Sequence, residues 1–152
     1  MPGWPWIVLV LALIVLVALA WAALFVWLRR HIRRAREQFF AQRQELAAQF
    51  LDAAGATGKP RGLRWVACEW ADEVAFARDR QTGQLAALVA VLIRFEAIEG
   101  GDMEGVQAVS NLRNASAVFF YKNGHWLTSG RAVFNLDPGE ALNHLKDQYA
   151  RL

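Results

Sequence analysis

The composition of the chain fits one modest folded domain joined to a strongly apolar segment. Its 152 residues are 55% hydrophobic and carry a formal net charge of +3 at pH 7, which is enough chain for a single domain. Cys68 is the only cysteine, which excludes an internal disulfide and any CxxC metal or redox motif. Five of the 17 basic residues lie in 29–36, so the rest of the chain has 12 basic residues and 14 acidic ones. This balance excludes a basic nucleic-acid-binding domain, and we expect no nucleic-acid partner.

The first predicted element is a transmembrane helix, and residues 1–28 form the predicted anchor. Positions 6–28 are 23 consecutive apolar residues, and a helix needs about 20 to cross the hydrocarbon layer. A cleaved signal peptide is the main alternative, because the Ala-Leu-Ala at 18–20 resembles a cleavage tripeptide. A signal peptide carries its positive charges before the apolar run, whereas here they follow it. The order of charges therefore favours an uncleaved anchor.

A cluster of arginines, which we call the basic collar, follows the anchor directly. By the positive-inside rule this end stays in the cytoplasm and the N-terminus lies outside. We therefore expect a single-pass protein of the cell (inner) membrane, with membrane lipids as partners of the anchor and the collar. The residues expected at the membrane interface are Trp4, Trp6, Trp27, Arg29, Arg30, Arg33, Arg34 and Arg36.

Residues 29–60 are predicted to hold the collar and an amphipathic connecting helix. Phe39, Leu46, Phe50 and Ala53 fall near one helical face. That face has to be covered by the sheet of the same chain, by a partner helix or by the membrane surface. Glycines and Pro60 end the helix.

Residues 61–152 are predicted to form a cytoplasmic α+β domain that begins with a hairpin. The segment 63–70 alternates as a strand, 71–73 breaks it, and a second run follows. A two-residue loop at 82–83 would pair Arg80 with Leu85 and Phe76 with Val89. Apolar residues on both sides of this hairpin indicate that both faces are covered over its middle.

A second hairpin and a closing helix complete the predicted domain. The Asn123-Gly124 pair is a type I′ turn signal that places Tyr121 opposite Trp126. The closing helix begins with a capping box, in which Asp137 is the N-cap, Pro138 the first helical residue and Glu140 the reciprocal acceptor. Its predicted buried stripe is Leu142, Leu145, Tyr149 and Leu152. Residues 102–114 are predicted as a loop with one helical turn or a short strand at 106–109. The fold class is therefore α+β: an N-terminal transmembrane helix, a connecting helix, an antiparallel sheet of about 4–5 strands built from hairpins, and a C-terminal helix.

The acidic stretch 95–105 is the densest cluster of chemically active side chains. It contains Glu96, Glu99, Asp102 and Glu104, so a divalent-metal loop and a pair of catalytic carboxylates are both open readings. Strand alternation places Glu96 on the face of Arg94 and leaves the other three in a glycine-rich loop. A solvated or partner-facing loop is the favoured interpretation. Met103, an apolar side chain between acids, either folds back onto the domain or contacts a partner.

The remaining candidates for chemistry are few. His31, His125 and His144 lack zinc-site spacing, and Cys68 lies in a predicted strand where burial blunts its reactivity. We therefore predict no enzyme, no catalytic or metal-binding residue and no cofactor.

These features favour a binding or scaffold domain, an accessory subunit of a membrane-associated assembly with a protein partner in or at the membrane. The expected partner contacts are Met103, Tyr121 and Trp126, since aromatic side chains are enriched at interface anchors. One alternative is a membrane-tethered small-molecule-binding domain or enzyme. It would have a pocket between the helices and a curved sheet, lined by Arg94, Glu96 and His125. The other alternative is an anionic-lipid sensor that acts through the arginine collar.

Overall fold

The computed structural model describes residues 4–57 and 60–152 and divides into two compact units, Met1–Phe40 and Ala41–Leu152. The helices are α1 (Trp4–Ala41), α2 (Arg43–Ala56) and α3 (Pro138–His144), with a 3₁₀ helix at Gln107–Ser110. The strands are β1 (Leu63–Asp79), β2 (Leu85–Ala97), β3 (Arg113–Lys122), β4 (His125–Phe134) and β5 (Tyr149–Arg151). The predicted α+β class is confirmed: a long apolar helix, a second helix, a five-stranded antiparallel sheet and a short C-terminal helix.

The sheet is strongly curled. Its strand order is β4-β3-β2-β1-β5, so β1 and β4 are separated by two strands and would lie roughly 14 Å apart in a flat sheet. Yet ring centroids of β1 and β4 lie only 6.2 Å apart for Trp65 and Phe134, and 6.1 Å apart for Phe76 and Trp126. The sheet therefore has a concave face on which side chains of β1 and β4 meet.

Helix α2 fills this concave face. Leu46, Phe50 and Ala54 are its buried residues, and the Phe50 ring lies 5.9 Å from the rings of both Trp65 and Phe119. Of the three coverings considered for the apolar face of the connecting helix, the sheet of the same chain covers the part within α2. Ala53, predicted beside these residues, is half-buried.

The register of the first hairpin differs from the prediction by two residues. Val74 pairs with Val89, Phe76 with Ala87 and Arg78 with Leu85. The loop is longer than two residues because the Asp79 carboxylate accepts hydrogen bonds from the backbone N–H groups of Gln81 and Thr82 at 2.8 and 2.9 Å. The predicted pairs of Arg80 with Leu85 and Phe76 with Val89 are therefore wrong. A shift of two residues leaves each side chain on its predicted face, because side chains alternate with a period of two.

Strand β1 continues through the predicted break. It runs for 17 residues, and its pairing with β2 is interrupted between Trp70 and Val74 and between Trp65 and Ala67. Extra residues of this kind form β-bulges, which bend a strand without ending it. The segment 71–73 is therefore a bulge within β1, and the prediction that the strand ends there is wrong.

The second hairpin and the capping box are confirmed. Tyr121 pairs with Trp126, and the turn between them has the positive φ angles of a type I′ turn, 53° at Asn123 and 84° at Gly124. The Asp137 carboxylate accepts from the Glu140 N–H at 2.7 Å, and the Glu140 carboxylate accepts from the Asp137 N–H.

The closing helix is shorter than predicted. It ends at His144, a turn follows, and Tyr149–Arg151 forms β5, an unpredicted strand that pairs with residues 77–79 of β1. The Arg80 guanidinium and backbone N–H donate to the carbonyls of Lys146 and Gln148, which hold the turn beside β1. Tyr149 is consequently buried, whereas Leu152 is 45% exposed and lies outside the predicted stripe.

The convex face is covered by α3. Leu142 and Tyr149 pack with Ala77, Leu88 and Val118 in one cluster of buried residues. Together with α2 on the concave face, this cluster confirms that both faces of the first hairpin are covered.

Candidate functional site

The surface of α1 is the most apolar part of the described chain. Among the described helices, α1 alone is long and apolar enough to cross a membrane. A signal sequence near the N-terminus would have the same length and hydropathy. None of its apolar window is buried in the structure. The predicted interfacial tryptophans are exposed on this surface, Trp4 by 81%, Trp6 by 71% and Trp27 by 60%.

The basic collar continues α1 without a break. Arg29 lies over the Phe25 ring, 4.2 Å from its centroid, and Trp27 stacks on His31 at 5.6 Å. Arg33 forms an ion pair with Glu37 at 2.9 Å, one turn later. Arg30 and Arg34 are exposed, and Arg36 is half-buried. Arg29 and Arg33 are exposed as well, and Arg30 and Arg34 lie four residues apart, on one helical face.

The acidic stretch separates into two groups, as predicted, but the partner of Glu96 is different. The Glu96 carboxylate pairs with Arg64 across β1 and β2 at 2.7 Å, because the actual register places Arg64 opposite Glu96. The predicted loop at 82–83 would also place Ala71 opposite Arg94, and this pair is wrong, because Arg94 pairs with Ala67. Both members of the ion pair are more than half exposed, so its contribution to stability is small.

The loop after β2 is a series of tight turns closed by its own backbone. Glu104 accepts from the Gly100 N–H at 2.9 Å, and the N–H of Gly101 donates to the carbonyl of Ile98 at 3.0 Å. Among the residues that the structure describes, no group of three or more His, Cys, Asp or Glu side chains is arranged to hold a metal ion. The carboxylates of this loop face solvent, Glu99, Asp102 and Glu104 being exposed.

Met103 folds back onto the domain. Its side chain is half-buried and lies so close to Gly62 that a Cβ added there would be 3.2 Å from the Met103 Cγ. Of the two readings given for this methionine, the described structure shows the first.

The other two predicted contact residues lie on the concave face. Trp126 is only 2% exposed, with its ring 5.2 Å from Tyr121 and 6.1 Å from Phe76. Tyr121 is half-buried. Trp126 therefore contributes to the interior of the domain, because the curl of the sheet brings β1 over it, and Tyr121 offers a partner only part of its side chain.

The predicted pocket between helix and sheet is filled. Arg94, Glu96 and His125, the side chains expected to line it, are all exposed. The space between α2 and the sheet holds the rings of Phe50 and Phe119, both fully buried.

A different cavity lies at one end of the concave face, where sequence reasoning placed none. It has a volume of about 300 Å³ and is lined mainly by apolar side chains from β2, β4 and the 98–112 segment, with Arg113 as its charged residue. Its lining includes Phe95, Met103, Val106, Val109, Arg113 and Phe134. These residues are distant in sequence, and the curl of the sheet brings them together. The one available signal was the unexplained apolar Met103.

Cys68 is unsuited to nucleophilic chemistry. Burial, and secondly the negative charge of Glu69, raise the pKa of the Cys68 thiol to about 12. A thiol with this pKa remains protonated at neutral pH, and only the thiolate is a good nucleophile.

Arg43 at the start of α2 makes the densest set of polar contacts between helix and sheet. Its guanidinium donates to the carbonyls of Trp70 and Ala71, both at 3.1 Å, and pairs with Asp72 at 3.2 Å. It also lies 5.8 Å from the Trp70 ring centroid. Arg43 therefore binds the carbonyls at the β1 bulge, where the ladder with β2 is interrupted.

Comparisons with protein-family models, with curated proteins and with solved structures found no match.

Proposed function

We propose that the chain is a single-pass membrane protein whose α+β domain acts by binding, as an accessory or scaffold subunit of a membrane-associated assembly. The observation that carries the proposal is the apolar surface of α1. Leu9, Leu13 and Leu16 are 63%, 61% and 64% exposed, and burying one such side chain contributes about 1.5–3 kcal/mol. A helix with this surface along its apolar window is stable only in an apolar environment, and a bilayer provides one.

The basic collar supports the proposed orientation. Positive charges close to a span stay on the cytoplasmic side, so the domain that follows the collar would be cytoplasmic and the N-terminus outside. Arg30 and Arg34 are exposed and suit contact with anionic headgroups, to which each basic residue contributes about 1 kcal/mol.

The domain itself supports a binding role over catalysis. Its concave interior is occupied by Phe50, Phe119 and Trp126, and the thiol of Cys68 is protonated at neutral pH. A filled core with exposed carboxylates offers surfaces for recognition.

Anchoring is tested by placing a charge in the middle of the span. Leu16→Arg introduces a cost of about 2.5–3.5 kcal/mol at the centre of a membrane helix, so we expect less of the variant in the carbonate-resistant membrane fraction than of wild type. Leu16→Ile is the matched control and should behave as wild type. The intact mass of the membrane-bound protein decides between anchor and signal peptide, since loss of residues 1–20 would contradict an uncleaved anchor.

Orientation is tested by protease access from outside intact cells. The proposal requires the α+β domain to be protected until the membrane is permeabilised. Replacing the five collar arginines with glutamine should produce a fraction of digestible domains, because the charge asymmetry that fixes the orientation is gone. Digestion of the wild-type domain in intact cells would refute the orientation.

The binding role is tested by purifying the intact protein in mild detergent and identifying what co-purifies. A stoichiometric protein partner supports the scaffold reading. A monomer that carries neither a protein nor a bound small molecule would refute it.

A further inference from the structure

The apolar cavity at the end of the concave face has the composition of a ligand site. Phe95, Met103 and Val109 line its interior, and they are buried or half-buried. Val106 and Phe134 line it as well but remain 43% and 39% exposed, which places them at the opening. Most ligand cavities combine such an apolar lining with a few polar groups that fix orientation.

Arg113 is the polar group that defines the ligand. Its guanidinium donates one hydrogen bond to the Ala108 carbonyl at 3.3 Å. None of the three ion pairs within the described residues involves it, and no acidic side chain lines the cavity. An arginine presents up to five N–H donors in a planar fork that matches a carboxylate. Arg113 is exposed, so the cavity carries an accessible positive charge, which belongs to none of those ion pairs, beside its apolar walls.

The volume limits the size of the ligand. A cavity of about 300 Å³ is at the lower end of known ligand sites. Met103 adds adaptability, since its flexible thioether fits apolar surfaces of different shape. The occupant is thus a small molecule with an apolar body and one anionic end.

We propose that this cavity binds a water-soluble monocarboxylate of about ten heavy atoms, its carboxylate held by Arg113 and its compact apolar body between Phe95, Met103 and Val109. The proposal concerns a site within the α+β domain and stands whether or not α1 crosses a membrane.

The test is a titration of the full-length protein in zwitterionic nanodiscs with 4-ethylbenzoate, a probe of about eleven heavy atoms. Met103 is one of two methionines, so ¹³C-methyl-methionine NMR reports the cavity directly, with the signal assigned by Met103→Leu. We expect a saturable shift of the Met103 methyl signal with a Kd below about 1 mM, a modest affinity for this number of atoms. The neutral isostere 4-ethylbenzamide should bind at least tenfold more weakly.

Two sets of variants separate charge from shape. Arg113→Gln should weaken the carboxylate at least tenfold, which is about 1.4 kcal/mol, and leave the amide nearly unchanged, while Arg113→Lys should retain most of the affinity. Val106→Trp should block the opening and abolish binding of both probes. Val66→Trp is its matched control, because Val66 is 37% exposed and does not line the cavity. The proposal would be overturned if wild type showed no saturable shift or bound the acid and the amide with equal affinity. It would also be overturned if Arg113→Gln bound the carboxylate as tightly as wild type, or if Val106→Trp left binding unchanged.

Discussion

Replacing Gly130 with alanine tests whether the backbone of α2 rests directly on β4. At this position φ is +75°, and an added Cβ would overlap the Ala54 nitrogen and lie 2.5 Å from the Ala53 carbonyl carbon. Favourable carbon contacts need about 3.5–4.0 Å, and these neighbours are backbone atoms that no side-chain rotation can move. The helix or the strand would have to shift.

The expected decrease in the free energy of unfolding has two parts. A left-handed backbone costs a residue with a Cβ about 1–2 kcal/mol, and forcing an extra carbon into a well-packed interior costs about 1–3 kcal/mol. Their sum is about 2–5 kcal/mol, a large part of the about 5–15 kcal/mol by which a domain is stable. At about 4 °C per kcal/mol for a domain of this size, the midpoint of thermal unfolding should fall by about 8–20 °C.

The assay is thermal unfolding of the full-length protein in nonionic detergent, followed by near-ultraviolet circular dichroism. Gly83→Ala is the matched control, since Gly83 has a similar φ of +71° but no atom within 4 Å of an added Cβ. Gly83→Ala should lose only the stability that a left-handed backbone costs a residue with a Cβ. Adding Ala54→Gly to Gly130→Ala should rescue little, because the overlaps involve backbone atoms. Equal losses for the two single variants would refute the direct contact of helix and strand.

Three further outcomes follow from the charged and titratable groups. Cys68 should resist iodoacetamide at pH 8 in the folded protein and react with it on unfolding. Because the pKa of its thiol is raised to about 12 in the folded protein, the stability that the protonated thiol contributes below pH 9 should be lost as the pH rises towards 12. Hydrogen bonds from the backbone N–H of Thr82, and secondly of Gln81, lower the pKa of Asp79 below 3.8. The ionised Asp79 therefore stabilises the fold above pH 3.8, and this contribution is lost as the pH falls below that value. The free energy of unfolding, measured from pH 5 to pH 2, should decrease less steeply for Asp79→Asn than for wild type. Glutamine at Arg30, Arg33 and Arg34 should reduce the preference of the reconstituted protein for anionic over zwitterionic vesicles, and an unchanged preference would remove the lipid-sensor alternative.

The local signals of the sequence were sufficient for much of the fold. The alternation and turn residues around Asn123 specify both the hairpin and its register, since a type I′ turn admits few loop lengths. Asp137, Pro138 and Glu140 likewise mark the start of α3 through hydrogen bonds that span only three residues. Elements whose geometry is set by neighbours in sequence are predictable from sequence.

Features that depend on distant residues were not predicted. The side chain of Asp79 captures two backbone N–H groups and lengthens the first hairpin loop, which changes the register without changing the hydrophobic pattern. The end of α3 is determined by the edge of β1, on which Tyr149–Arg151 pairs. The cavity beside Arg113 and the burial of Trp126 both require the curl of the sheet, and periodicity contains no information about curl.

The contacts of Arg43 have a consequence for how copies of the protein meet. Strand β5 covers only residues 77–79 of β1, so 63–75 form an open sheet edge, the kind of surface on which chains join into larger sheets. Arg43 occupies the carbonyls of Trp70 and Ala71, and the two bulges interrupt the straight run of this edge. An incoming strand would therefore find these two acceptors taken and its path bent. The same side chain that holds α2 on the sheet therefore also hinders the addition of a strand at the β1 edge.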